Sequence, residues 1–495
     1  MRKILLICLA IFLTACTAGH GIEHDVHIPQ VVITDTPLSI TPVVETPVVE
    51  EVPVQGPPQE LDVPQFNEYI ISMEFEPETR IVRGIESIRY TNRNTQALDE
   101  LVFRVFLSYM DIHHIFLDNE ELDFNLSGTV LTVNLPRNLE PDETLQIHLQ
   151  FEAYIPTGTD RVGANDQVIW AGAFFPVEAV LGSRGWHTES YYSIGSPFIL
   201  DVANYFVEIT TPVDYVVAGT GTKTENIVDG KKVTSFTAPM VRDFAFAISP
   251  YFEVTTITTY SDREIRLYHY TPNLPVEHIL DVAAEAMTIF EEAVGAYPFP
   301  QLSIVETSIF RAGESFSNMI FIDGSPLRIT NNLADLRHGI GRQWFSIIIG
   351  NNLVDEAWLS GGLSLLVQEG LLGKSDELQL LMGREHSYLD SWQHLIFNEN
   401  SRRINSRISD YQNWTDYIRI QYRKSRLMFY ALYLEMGYEA FNDLLREYFR
   451  QYAFQIATAE DFINLAEELH GSELGEFFNN WLNTTDLPEF SWLDN

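Results

Sequence analysis

His338 and Arg342 stand four residues apart in the stretch RHGIGRQWFSIIIGNNLVDEAWLSGGLSLL, residues 337–366. Residues at that spacing share one face of a helix. Where both are histidines and a glutamate follows the first, the two imidazoles meet on one zinc ion and the glutamate serves as general base. Here the same positions hold His338, Gly339 and Arg342. Glycine has no carboxylate to take a proton from water. A guanidinium stays protonated and has no lone pair for a metal. Gly339 and Gly341 each weaken the helix by about 1 kcal/mol relative to alanine. Burial of Ile340, Trp344 and the apolar residues after them is what would hold it together.

Two kinds of element surround this helix. From about Phe66 to Tyr270 the chain reads as strands. Leu131, Val133 and Leu135 alternate with polar residues, as do Leu145, Ile147, Leu149 and Phe151, and again Ile265 and Leu267. Such alternation means one buried face and one wet face. Asp229-Gly230 is a hairpin signal between two such runs. After Pro272 the character changes. Residues 277–294 have helical spacing and strong helix formers. Leu302–Val305 and Met319–Ile322 are short and strand-like. From Asp335 the pattern is helical, and Thr458-Ala-Glu-Asp461 opens a late helix in capping-box fashion.

The ends and the charge narrow the function classes. Acids outnumber bases 69 to 31, giving a formal charge of −38. That argues against nucleic acid, which needs a basic footprint. With 45% hydrophobic residues the chain can build sizeable cores. Residues 1–16 read as an export signal: Met1-Arg2-Lys3 is basic, and Ile4 to Phe12 is apolar but too short to span a bilayer. Leu13-Thr14-Ala15-Cys16 resembles a bacterial lipobox, which predicts acylation of Cys16 and an extracytoplasmic, lipid-anchored protein. Cys8, the other cysteine, lies inside the signal, so no disulfide or thiolate site is expected. Residues 17–65 are rich in Pro, Thr, Val and Glu and read as an extended tether. His24 and His27 belong to that tether.

Several ordered motifs give the globular body, from about residue 66 to the end, a resemblance to the membrane-alanyl-aminopeptidase family of gluzincin metallopeptidases, which includes leukotriene hydrolase. The runs NYFVEITTPVDYVVAGTG and FTAPMVRDFAFAIS are similar to that family's saddle domain, and Gly295-Ala-Tyr-Pro-Phe-Pro300 to its entry into the catalytic lobe. His338–Phe345 sits where the family has H-E-x-x-H-Gln-Trp-Phe. Trp358-Leu-Ser-Gly-Gly-Leu363 sits where it has Trp-Leu-Asp-Glu-Gly-Leu, and Tyr422-Arg-Lys-Ser425 where it has Tyr-x-Lys-Gly. The resemblance implies an α+β multidomain chain. An N-terminal all-β saddle or sandwich domain, residues 66–271, would precede a thermolysin-like, mostly helical catalytic-type domain, residues 272–495.

What the resemblance implies for the site is loss. His338 matches the first ligand. Gly339 replaces the general base, Arg342 the second histidine and Gly361 the ligand glutamate. No zinc is therefore expected. Tyr422 stands where the family stabilises the oxyanion, although a tyrosine also serves as an ordinary core or rim residue. The family grips the substrate's α-amine with a glutamate. In RAGESFSNMIFID, counting back from Met319 puts Ser315 at that position, and a slip of one residue puts Glu314 there. Arg342 either points to solvent or fills the void left by the metal. The second arrangement needs a partner, for which Glu314, Glu356 and Tyr422 are candidates, and it would leave a positive charge able to grip a carboxylate. His113, His114, His278, His386 and His470 lie in separate segments and are not expected to pair with a ligand one turn away.

Three functions are compatible with these residues. The first is a non-catalytic binder of peptide or envelope protein in the old cleft. The second is an active zinc aminopeptidase with an atypical ligand set. The third is an architectural envelope module. A cleft packed shut favours architecture, and an open one lined by Tyr422 and other aromatics favours binding.

Overall fold

The computed structural model describes residues 66–106, 109–309, 313–324, 333–393 and 403–485. The described residues fall within one compact unit. The signal, Cys16 and the tether lie outside the described residues.

The alternating segments form an eight-stranded sheet. Its middle is built by Ala203–Pro212, Asn67–Glu76, Ile81–Thr91 and Thr144–Tyr154 in that order. Asn67–Glu76 runs parallel to Ala203–Pro212 and antiparallel to Ile81–Thr91. Ile147, Leu149, Phe151 and Ala153 all point into the core. At the sheet edge, Thr222–Val228 and Lys231–Val241 form a hairpin whose turn is Asp229-Gly230. Both turn residues have positive φ, 51° and 79°, as a two-residue hairpin requires. Two four-stranded sheets and a two-stranded sheet, Leu181–Gly182 with Gly185–Trp186, complete this part.

One residue breaks the alternation rule. Glu86 faces inward beside Ile71 and Leu149, is fully buried, and neither carboxylate oxygen has a hydrogen-bond partner. Burial pushes its pKa well above the ordinary value of 4.5. A group raised in this way favours the fold fully below its unfolded pKa and progressively less as pH climbs toward the folded value. Glu86→Met should therefore stabilise the protein by about 1–3 kcal/mol at neutral pH. The gain should shrink as pH falls toward 4.5, which urea unfolding at several pH values would read out.

A five-stranded mixed sheet joins the β part to the helical part. Its order is Glu253–Thr258, Glu264–His269, Gln301–Thr307, Met319–Asp323 and Gly313–Phe316. Glu264–His269, which the alternation groups with the earlier strands, pairs in parallel with Gln301–Thr307 from the later region. The last strand is an antiparallel edge strand, and it carries Glu314 and Ser315.

The helices follow in the order the patterns imply. Val276–Ala293 is an eighteen-residue helix. Ala334–Trp344 packs on it, with Trp344 stacked on Phe290 at 5.3 Å between ring centroids. Gly341 makes this approach possible, because a Cβ there would lie 2.4 Å from the Phe290 ring. Its helix-weakening cost is thus offset by the packing it permits. Ala357–Val367 and Ser425–Met436 lie beyond. A late helix, Ala459–His470, starts with a closed capping box: the Thr458 hydroxyl accepts from the Asp461 amide, and the Asp461 carboxylate accepts from the Thr458 amide.

Candidate functional site

Three elements converge on a cavity of about 540 Å³: the edge strand Gly313–Phe316, the helix Ala334–Trp344 and the segment around Tyr422. That volume lies in the ~300–1,000 Å³ range of small-ligand sites. The strand and helix touch where the Ser315 hydroxyl donates to the Gly339 carbonyl at 3.0 Å.

Arg342 points inward. Its side chain is buried, and Nη1 donates to Glu314 Oε1 at 3.0 Å while Nη2 donates to Ser196 Oγ at 2.9 Å. The Ser196 hydroxyl in turn donates to Glu314 at 2.6 Å. The other Glu314 oxygen accepts from Arg161 Nε at 3.1 Å. Arg161 also donates to the Tyr191 hydroxyl and to the Gly195 carbonyl. Burial opposes the charge on Glu314, but the two flanking guanidinium groups outweigh it and hold its carboxyl below the ordinary range. Of the three partners considered for Arg342, Glu314 makes the ion pair. Glu356 instead accepts from the Ala459 amide at the start of a distant helix.

At the positions that the resemblance implies for the third ligand and the general base, the space for a side chain is taken by neighbouring protein atoms. A Cβ at Gly361 would sit 2.2 Å from Tyr422 Cδ1 and 3.1 Å from the Gln421 carbonyl oxygen, so the tyrosine ring lies where a ligand side chain would be. A Cβ at Gly339 would meet Ser315 Oγ at 3.1 Å and Ile320 at 3.2 Å. The Tyr422 ring leans on His338, with centroids 5.1 Å apart, and meets Tyr417 edge to face. It belongs to a π-helical turn, Ile418–Lys424, a form that recurs at functional sites.

Of positions 338, 342 and 361, which the resemblance implies as ligand positions, 338 carries a metal-donor side chain, His338. Both ring nitrogens are buried without a hydrogen-bond partner. Burial, reinforced by Arg342 and Arg426, pushes its pKa down to about 3, so the ring is neutral at physiological pH. Catalytic zinc sites need three protein ligands. One imidazole between a guanidinium and a phenol ring does not fit such an ion. Among the described residues, no group of three or more His, Cys, Asp or Glu side chains is placed to hold a metal. Contrary to the spacing expectation, His386 does have an acid one turn on, Asp390, which acts on its pKa against the larger effect of burial. Two donors make no catalytic metal site.

The far wall of the cavity is a second ion cluster. Arg426 pairs with Glu385 at 2.6 Å and Glu369 at 3.1 Å, and Arg423 reaches Glu385 at 3.3 Å. Two buried atoms here have no partner: Arg426 Nε and Gln368 Oε1. No local pattern in the sequence marks Arg161, Ser196 or Arg426 as functional. Arg161 and Ser196 are separated from Glu314 by more than a hundred residues, so no local spacing connects them.

With this geometry in hand, comparison with known proteins is direct. Residues 278–481 match the model of the peptidase family M1 domain. A search of curated protein sequences gives no match. Among solved structures, the M1 zinc metallopeptidase from Deinococcus radiodurans superposes with a TM-score of 0.68 at 16% identity, over 86% of this chain and 95% of that one. A mutant of that protein bound to a Tyr-Ser-Ala substrate gives 0.66 at 15% identity, with the same coverage. Native yeast LTA4 hydrolase gives 0.67 at 13% identity, over 86% of this chain and 69% of its own. The shared fold is the β-then-helical architecture described above.

Proposed function

We propose that this chain, which carries a peptidase family M1 domain over residues 278–481, is a non-catalytic peptide-binding protein held outside the cytoplasm by a lipid on Cys16. The observation that carries the reading is the Tyr422 ring seated in the side-chain space of Gly361. Loss of a ligand by substitution alone would leave a hole. Here the hole is occupied, and the Arg342 charge beside it is neutralised by Glu314. Gly339 has no carboxylate to serve as a general base. The retained cavity, lined by Tyr422 and Trp414 among others, favours a binder over an architectural module. The peptide character of the ligand comes from the fold alone, through the Tyr-Ser-Ala complex of the structural relative.

The test has two parts. Purified full-length protein should carry no stoichiometric zinc by plasma mass spectrometry and should not hydrolyse aminoacyl-anilides. One tightly bound zinc with chelator-sensitive cleavage would favour the active-enzyme reading instead. For the anchor, Cys16→Ala should move the protein from the membrane fraction to the soluble extracytoplasmic fraction and abolish labelling by a fatty-acid probe. Retained labelling would sink that part.

A further inference from the structure

The charges around the cavity are sorted by depth. Three of its arginines are deeply placed: Arg161 has 5% of its side chain exposed, Arg426 8% and Arg342 11%. Against them stand two equally buried acids, Glu314 and Glu385, each 7% exposed. The remaining lining acids are nearer the solvent. Asp160 is 58% exposed and Glu369 30%, and Asp335 is exposed as a residue. Among these deep groups positive charges outnumber negative by one, while the more exposed lining carries three acids against one cation, Arg423, which is 41% exposed.

We propose that the cavity takes a peptide carboxylate end first, with the C-terminal carboxylate against Arg342 and the peptide leading out past the acidic rim. This rests on the peptide-binding reading above and adds the direction of the ligand. Arg342 spends one N–H on Glu314, one on Ser196 and one, at 3.4 Å, on Ser346. A guanidinium has five N–H donors, so each terminal nitrogen retains a second. Either of those donors suits one oxygen of a carboxylate, in a charge-assisted hydrogen bond. The opposite orientation lacks a recognition group. Glu314, the buried carboxylate beside the vestigial metal position, already accepts from Arg161, Arg342 and Ser196, and an ammonium there would meet two guanidinium charges. The acids that could receive an amine, Asp160 and Asp335, lie at the exposed rim.

The experiment uses the full chain and a randomised tetrapeptide library prepared as free acids, as C-terminal amides and as N-acetyl free acids, with bound peptides read by affinity selection and mass spectrometry. Free acids should be enriched, amidation should weaken the selected peptides by about ten- to a hundredfold, and N-acetylation should change them little. Equal binding of acids and amides would overturn the carboxylate proposal while leaving peptide binding intact. So would enrichment of amides carrying internal Asp or Glu, since the group gripped would then be a side chain. No enrichment in any form would remove the peptide-binding reading itself. In Arg342→Gln, checked for folding by its melting curve, the preference for free acid over amide should vanish. Its persistence would place the carboxylate elsewhere and sink the assignment to Arg342. The acid-to-amide comparison on the unmodified protein stands even if that variant does not fold.

Discussion

Glu314→Ala should cost about 3–5 kcal/mol of folding stability, the scale of breaking a buried ion pair on one side only. The carboxylate is 7% exposed and is the shared acid of two buried guanidinium groups. Without it, Arg342 keeps only neutral hydroxyl partners, Ser196 and Ser346. Arg161 keeps a distant contact to Asp160 at 3.8 Å, through an acid that is mostly solvated. The two cations would then face each other across the vacated space. The same residue sets an acid limit. The folded-state pKa of Glu314 is lowered from 4.5, burial notwithstanding, by Arg161 and Arg342. A lowered carboxylate contributes its full stabilisation above the unfolded pKa and loses it as pH falls through the folded value. The protein should lose stability below about pH 4.5, and Glu314→Ala should lose less over that window because it starts without the contribution. Urea unfolding between pH 7 and the acid limit measures both. A neutral-pH loss within about 0.5 kcal/mol, the size of an ordinary surface substitution, would show that the cluster is not held by this charge.

How much of this was legible in the sequence depends on the range of the interaction. Elements with local causes could be read directly. Alternation at Leu145 to Phe151 gave a strand, Asp229-Gly230 a hairpin, and Thr458 with Asp461 a helix start. The face of Arg342 was legible only as a pair of options, because helix spacing places it beside His338 without saying what lies opposite. The opposing residues come from the far end of the chain: Arg161 and Ser196 precede the helix by well over a hundred residues, and Tyr422 follows it by about eighty. Gly361 shows the limit most clearly. As a sequence position it is an absence, a ligand that is not there. In the fold it is a contact, since the missing Cβ is what admits the Tyr422 ring. Gly341 behaves likewise, costing the helix stability yet admitting Phe290.

Restoring the three ligand and base positions alone should not restore zinc. In the triple variant Gly339→Glu, Arg342→His and Gly361→Glu, the new carboxylate at 361 must displace Tyr422, whose ring atoms Cδ1 and Cε1 lie 2.2 and 2.6 Å from the would-be Cβ. These are not the tip of a flexible chain, and the Gln421 carbonyl at 3.1 Å closes the other side. Overpacking of this kind costs about 1–3 kcal/mol. The triple variant also removes the guanidinium partner of Glu314, leaving that carboxylate to Arg161 and Ser196. Zinc binding would have to offset both losses before any net stabilisation appeared. Adding Tyr422→Ala removes the ring and should allow uptake, seen as a zinc-dependent rise in melting temperature. At a metal concentration a hundred times Kd, such binding contributes about 2.7 kcal/mol. Tight stoichiometric zinc in the triple variant with Tyr422 intact would mean that the ring yields easily. The seat of Tyr422 over Gly361 would then not be what keeps metal out, and the donor set alone would account for its exclusion. The expected contrast between the triple and quadruple variants instead makes the filled space a second barrier, independent of the missing donors. On that contrast, a metal centre at this place requires packing residues to change together with the donors.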